Sequence, residues 1–357
     1  MKRIVPWAIC VLAVIPPGCR HNIGPRTIVR DRHQYASSLS DSWKEQNLLN
    51  IVKVRYIDPP VFVDVGNIVT TYSLSLGANA NGGIGTVVAG AGAGSIGVMG
   101  TYTNTPTITY TPLTGNKFIR GLVTPLSPES LFTSIQSGAP AAMVMFAALA
   151  SINGFRNQEA TWSGIVPADP VFDRVRTLAG EIQRFGAMQI HIKKELNQES
   201  TVLSFRTVDI PPEARADIIE FLRLLKLNPG ANEFRIVSGF VSSNDTQVAV
   251  VTRSILGLMQ TMAAQVEIPA EDLQRSLTFP GFEGQQVAAK FSRLVRIHSG
   301  KSSPASAFVA VKYHDSWFWI DDNDLDSKRV FSLMMMFFTM MDTEEKEGKP
   351  VVTIPAR

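Results

Sequence analysis

The sequence predicts an α+β protein in four stretches. An export signal occupies 1–18 and a tether 19–40. A small module over 41–165 is built around a glycine-rich, uncharged β-hairpin and an apolar helix, and an antiparallel sheet covered by helices fills 166–357. Three observations carry this reading: a basic–apolar–Gly-Cys opening, a run from Val65 to Asn116 without any Asp, Glu, Lys or Arg, and a ββα–ββα rhythm after residue 166. The 357 residues suffice for about two domains, each able to bury a core without covalent staples. Net charge is only +3, so no cationic field exists to recruit phosphates, and a nucleic-acid partner is not expected.

The chain begins MKRIVPWAICVLAVIPPGC, with Lys2 and Arg3 ahead of an apolar run, Ile4–Ile15. A transmembrane helix needs about 20 apolar residues, so this run is too short to span and reads as an export signal. Its end, Pro16-Pro17-Gly18-Cys19, resembles the close of a bacterial lipoprotein signal peptide, with two prolines where that pattern favours leucine and a small residue. The resemblance implies that Cys19 is lipidated (diacylglycerol and palmitate) and becomes the new amino terminus. Cys10 is the only other cysteine and leaves with the signal, so the mature chain has no internal disulfide. Losing Lys2 and Arg3 also lowers the formal charge from +3 to +1. Several acyl chains on one residue anchor firmly where one alone does not. Arg20 stands where Asp is the inner-membrane retention signal of enteric-type lipoproteins, which implies the outer membrane, facing the periplasm. Residues 20–40 are polar, lack periodicity and read as a tether.

Ser42-Trp43-Lys44-Glu45 has the form of a capping box, followed by Leu48, Leu49, Val52 and Tyr56 at helical spacing. Asp58-Pro59-Pro60 stops that helix, and Val61, Val63 and Val65 alternate as a short strand. The uncharged stretch then runs for 52 residues, where the chain's 18% charged content predicts about nine. Ile68, Thr70, Tyr72, Leu74 and Leu76 share one face of a strand, opposite Val69, Thr71, Ser73 and Ser75. Thr101, Thr103, Thr105, Thr107, Thr109 and Thr111 likewise alternate with Tyr102, Asn104, Pro106, Ile108 and Tyr110. Nine glycines lie between the two strands, over 77–100.

The pair reads first as a soluble antiparallel hairpin. Its alternative is a hairpin that inserts in the membrane, several copies contributing to one barrel. Ten residues match a tilted barrel strand, although Asn104 and Pro106 interrupt the apolar face. Gly92-Ala-Gly94-Ser-Ile-Gly97 fits the dinucleotide fingerprint in form only. A strand-like run follows Gly97 where that fingerprint opens a helix, so no nucleotide is expected.

Ser127-Pro128-Glu129 opens a helix that Gly138 closes, and the uncharged run Ala139–Ile152 reads as one buried helix. Asp169-Pro170 starts another helix, with Val171, Phe172, Val175, Leu178, Ile182 and Phe185 as its buried stripe and Gly186 after its last turn. Strands follow at Met188–Ile192 and Val202–Thr207, then a helix from Pro211-Pro212-Glu213 to Asn228-Pro229-Gly230. The order repeats with strands at Phe234–Val241 and Gln247–Thr252, joined by a turn at Ser242–Asp245, and a helix at Ser254–Gln265. Further strands are expected at Leu294–His298, Phe308–Tyr313 and Trp317–Ile320. A helix at Ser327–Met341 and a strand at Val351–Ile354 end the chain.

The acidic run around Asp321, Asp322, Asp324 and Asp326 offers a candidate hard-cation site, chiefly through the first three. It lacks EF-hand spacing, and the favoured reading is a cap on the helix that follows. The Met334–Met341 surface of that helix is either core or an adaptable binding face, with core favoured. His21, His33, His191, His298 and His314 show no metal-ligand spacing. In His314-Asp315-Ser316, neighbours point to opposite faces of a strand, so no catalytic residue is assigned.

SWKEQNLLNIVKVRYIDPPVFVDV (Ser42–Val65), TITYTPLTGNKF (Thr107–Phe118) and WFWIDDNDLDSKRVF (Trp317–Phe331) resemble a family of uncharacterised exported bacterial lipoproteins. That resemblance implies location, and no reaction or ligand. The expectation is a lipid-anchored cell-envelope protein with a structural or assembly role, held to the membrane at Cys19. It associates with a protein partner or with itself, and needs no cofactor. An oligomeric secretion or pore component inserting 67–111 is the alternative, and a periplasmic metal-dependent module using Asp321–Asp326 a second.

Overall fold

The computed structural model describes residues 23–81, 95–161, 164–195, 198–279, 281 and 291–340. The expected signal, Cys19, the glycine-rich centre of the uncharged stretch and the strand at Val351–Ile354 lie outside them. Contacts divide the chain into a smaller unit, Met1–Ser40 with Val65–Thr109, and a larger one, Asp41–Asp64 with Tyr110–Arg357.

The first helix, α1 (Ile23–Arg55), runs unbroken through Ser42, so the expected helix start there is corrected and residues 23–40 are helical. No proline or glycine occurs between Pro25 and Pro59. Once nucleated, a helix therefore extends at little cost, and a capping residue has no helix end to cap.

In the larger unit, α1 clamps the start of β1 (Phe62–Asn81). Gln46 and Asn50 lie one turn apart on the same face. Asn50 Nδ2 donates to the Val61 carbonyl at 2.7 Å, and Asn50 Oδ1 accepts the Val61 N–H at 2.9 Å. Gln46 Nε2 donates to the Val63 carbonyl at 3.1 Å and its Oε1 accepts the Val63 N–H at 2.5 Å. Each amide supplies the donor–acceptor pair that a neighbouring strand would supply. Between them Phe62 is fully buried, its ring centre 4.7 Å from Phe338 and 5.6 Å from Phe118.

A six-stranded sheet forms the centre of this unit. It comprises β3 (Leu149–Ile152), β4 (Phe155–Arg156), β7 (Met188–Glu195), β8 (Gln198–Phe205), β9 (Glu233–Ser238) and β10 (Gln247–Thr252), in the order β4-β3-β10-β9-β8-β7. β5 (Glu159–Thr161) and β6 (Gly164–Val166) form a separate pair. The sheet draws strands from both sides of residue 165, and it is mixed where an antiparallel sheet was expected. The turn near Asn244 is present, its Oδ1 accepting from the Thr246 N–H and hydroxyl. The connection nevertheless carries the chain back so that Gln247 pairs with Arg235, and β9 and β10 run parallel.

The apolar run Ala139–Ile152 is also corrected, being α4 (Ala141–Ala148) followed directly by β3. Donors from distant residues satisfy the carbonyls that end α4. Asn157 Nδ2 donates to Phe146 O at 2.8 Å and to Leu149 O at 2.7 Å. Arg253 Nη1 donates to Phe146 O and Ala147 O at 2.9 Å each, and its Nη2 to Gln158 O.

Helices expected from local signals form as read: α3 (Pro128–Gln136), capped by Ser127; α5 (Pro170–Arg184), closed by Gly186 at φ 64°; α6 (Pro212–Leu224); and α7 (Ile255–Ala263), capped by Ser254. α6 stops earlier than Asn228, at Leu224, and Lys226 follows its cap at φ 56°. The short helix α2 (Asn116–Val123) was not anticipated. α3 packs on β7, β8 and β9, and α5 lies against α4 and α6. A second sheet, β11 (His298–Gly300), β12 (Ala307–Tyr313) and β13 (Ser316–Asp321), has the order β11-β13-β12 and precedes α9 (Leu325–Thr339). It is tied to the end of α1. The Tyr56 hydroxyl donates to Asp272, in α8 (Ala270–Gln274), at 2.6 Å, and the Tyr313 hydroxyl donates to Asp58.

Replacing Asn50 with leucine removes the partners of Val61 and should lower unfolding free energy by about 1–3 kcal/mol, read from denaturant melts. Burial, then the bonds to Asp272 and Asp58, raise the Tyr56 and Tyr313 phenols above the ordinary value of 10.0. Their contribution to stability is present below that value and is lost as pH rises through the folded pKa. Alkaline titration by ultraviolet absorbance should show a late-ionising phenol fraction that Tyr56→Phe and Tyr313→Phe each reduce.

Candidate assembly interface

β1 and β2 (Ser95–Leu113) pair as a two-stranded sheet, and no third strand joins them among the described residues. β1 merges the two strands expected at 61–65 and 68–76, continuing through Gly66 and Asn67. β2 passes through Asn104 and Pro106 without a break. With 20 and 19 residues at a rise of about 3.3 Å, each strand is roughly 65 Å long.

In β1, Ile68, Thr70 and Tyr72 are half-buried while Val69, Thr71, Ser73 and Ser75 are exposed, the two faces that alternation predicts. The Tyr72 hydroxyl donates to Asp31 on α1, within the smaller unit. In β2, every residue from Thr105 to Pro112 is exposed, so neither face of that stretch is covered; Tyr110 is 64% accessible.

Each strand bonds its partner along one edge. Among the described residues no further strand bonds the other edge of either. Proteins blunt such edges with lysine, proline or bulges. Here residues 65–116 hold no charge, and the prolines of β2 are Pro106 and Pro112. A lone two-stranded sheet is marginally stable in water.

The other sequence candidates are placed elsewhere. Gly97 lies inside β2, so a strand continues where the dinucleotide fingerprint requires a helix; residues 92–94 lie outside the described residues. Asp324 caps α9, its Oδ1 accepting the Ser327 N–H at 3.1 Å and its Oδ2 the Ser327 hydroxyl at 2.8 Å. Asp322 pairs with Lys328 at 2.6 Å. Asp321 accepts from Trp319 Nε1 at 3.0 Å and sits 3.3 Å from His298 Nε2. Asp326 pairs with Arg329 at 2.9 Å. The three candidate ligands thus face different partners, and among the described residues no group of three His, Cys, Asp or Glu side chains is disposed to hold a metal ion.

Sequence spacing gave no sign of the His298 arrangement. Its Nδ1 lies 2.9 Å from Glu267 and its ring stacks on Trp319, so both ring nitrogens face carboxylates. His314 occupies the β12–β13 turn at φ 50°, stacked on Tyr313, whereas Ser316 is buried. On α9, Met334 and Phe337 are fully buried, Phe338 nearly so and Met335 partly buried against the core, while Met336 and, just past the helix end, Met340 are exposed; Met341 lies outside the described residues. No described helix is long and apolar enough to cross a membrane.

Comparisons with family models, with curated proteins and with solved structures give no match.

The Ser327 bonds and Arg296 outweigh burial, which acts in the opposite direction, and hold the Asp324 carboxyl below its ordinary 3.8. Its contribution is therefore present above that value and lost as pH falls through the folded pKa. Asp324→Ala should cost about 1 kcal/mol at neutral pH, and the difference from wild type should shrink in acid, read from thermal melts at several pH values.

Proposed function

We propose that this chain is a lipid-anchored protein of the bacterial cell envelope, held at Cys19 in the outer membrane and facing the periplasm, that works by assembly through the β1–β2 sheet. One observation carries the assembly role: two strands of 20 and 19 residues, free of charge from residue 65, pair only with each other among the described residues, and β2 is uncovered on both faces over 105–112. The order Lys2-Arg3, apolar run, Gly18-Cys19 supports the location. A metal-dependent module is less favoured, because Asp321, Asp322 and Asp324 already face His298 and Trp319, Lys328, and Ser327 respectively.

Cell fractionation with native mass measurement tests both parts. The wild-type chain is expected in the membrane fraction in a species heavier than one copy, and Cys19→Ser should move it to the soluble fraction. Thr71→Lys with Thr107→Lys alters two exposed positions. It should leave the melting temperature unchanged and reduce the species to a single copy. Equal masses for wild type and the lysine variant would sink the assembly role.

A further inference from the structure

We infer that the segment Pro350-Val-Val-Thr-Ile-Pro355 of this chain, which lies outside the described residues, adds as a short strand to the edge of β12 and occupies the groove between β12 and α1. The inference concerns the larger unit alone and does not depend on the assembly role.

β12 is the last strand of its sheet, in the order β11-β13-β12, and among the described residues no strand pairs with its other side. Tyr313 stands opposite Ser316 across a two-residue turn. Alternate residues then bond β13, so Tyr313 and Val311 face it while Ala310 and Lys312 turn their N–H and C=O outward. No hydrogen-bond partner meets those outward groups among the described residues.

A groove of about 440 Å³ follows this edge, with Asp41, Lys44 and Glu45 of α1 on one side and Pro304, Phe308 and Ala310 on the other. Every residue from Ala307 to Ala310 lines it. Successive side chains of a strand point to opposite faces, so a groove that meets four in a row meets the edge and not one face. The strand holds no proline, and Ala307–Val311 carries no charge. Lys44 is already paired with Asp41 at 2.7 Å, so an occupant does not strip a lone ammonium of water.

Position, length and composition single out the occupant. Near the end of α9, Phe338 lies against Trp43 with ring centres 6.0 Å apart, and Trp43 adjoins Lys44 in the groove wall. The chain therefore leaves α9 beside the groove. Residues 341–349 can span about 30 Å when extended, enough to turn back along β12. Asp342, Glu344, Glu345, Lys346, Glu347 and Lys349 suit that spacer to water. Val351, Val352, Thr353 and Ile354 are all β-branched, the type that pleated surfaces favour, and they equal in number the β12 residues that line the groove. Pro350 and Pro355 flank them. Proline is tolerated at a sheet edge and blunts it against a further strand.

Amide hydrogen exchange on the full chain, resolved residue by residue, tests the pairing. Val352→Pro with Thr353→Pro removes a donor of either parity. The Ala310 and Lys312 amides should exchange about tenfold or more slower in the wild type than in this variant. The Phe318 amide, inside the sheet, should exchange equally in both, which separates a lost strand from a lost fold. Thr343→Pro, in the spacer, should leave Ala310 and Lys312 as protected as in the wild type. Ala310→Cys with Val352→Cys, treated with a short bis-maleimide, should link within one copy when two differently tagged copies are co-expressed. Equal, fast exchange of Ala310 and Lys312 in the wild type and the double-proline variant overturns the inference, because the edge is then open. Protection that survives the double-proline change also overturns it, since another segment must cover β12. Links joining the two tags overturn it by making a second copy the source of the strand.

Discussion

Two side-chain amides on α1 determine where β1 begins. Gln46 and Asn50 bond the N–H and C=O of Val63 and Val61, so four backbone groups are paired by two side chains a helical turn apart. Only Asn and Gln carry a donor and an acceptor side by side at the spacing of a peptide unit; a carboxylate lacks the donor and an ammonium the acceptor. The clamp also fixes register. With residues 61 and 63 turned to the helix, residue 62 points to the other side, where Phe62 fills a site between Phe118 and Phe338. A slip by one residue would turn that ring to the opposite face and leave the smaller Val61 or Val63 in its place. The Ser42–Val65 string is therefore one structural device, a helix face and the strand start it holds.

The fold was legible wherever the signal is local. Ser127 and Ser254 through their hydroxyls, Pro170 through its fixed φ at the first turn and Gly186 through its positive φ mark helix ends locally, and the helices end there. It was not legible where remote groups choose between states. Ala139–Ile152 is apolar enough for a buried helix or a buried strand, and periodicity cannot separate the two. Asn157 and Arg253 make the choice by bonding the carbonyls at the end of α4, which lets the chain leave the helix at Leu149. Burial lowers the Arg253 guanidinium pKa to about 10, yet its bonds to three carbonyls would be left open by any shorter residue. The parallel run of β9 and β10 is similar. The turn at Asn244 was readable, but not that β10 lies parallel to β9 and antiparallel to β3.

The candidate interface divides along the same line. The charge gap and the two-residue alternation were visible in the sequence, and the half-buried Ile68, Thr70 and Tyr72 sit opposite exposed Val69, Thr71 and Ser73 as alternation requires. Two things needed coordinates. One is that β1 and β2 pair only with each other among the described residues; the other is that α1 extends back to Ile23 and brings Asp31 to Tyr72. A tether read from polarity alone is thus a helix that covers part of one face of β1.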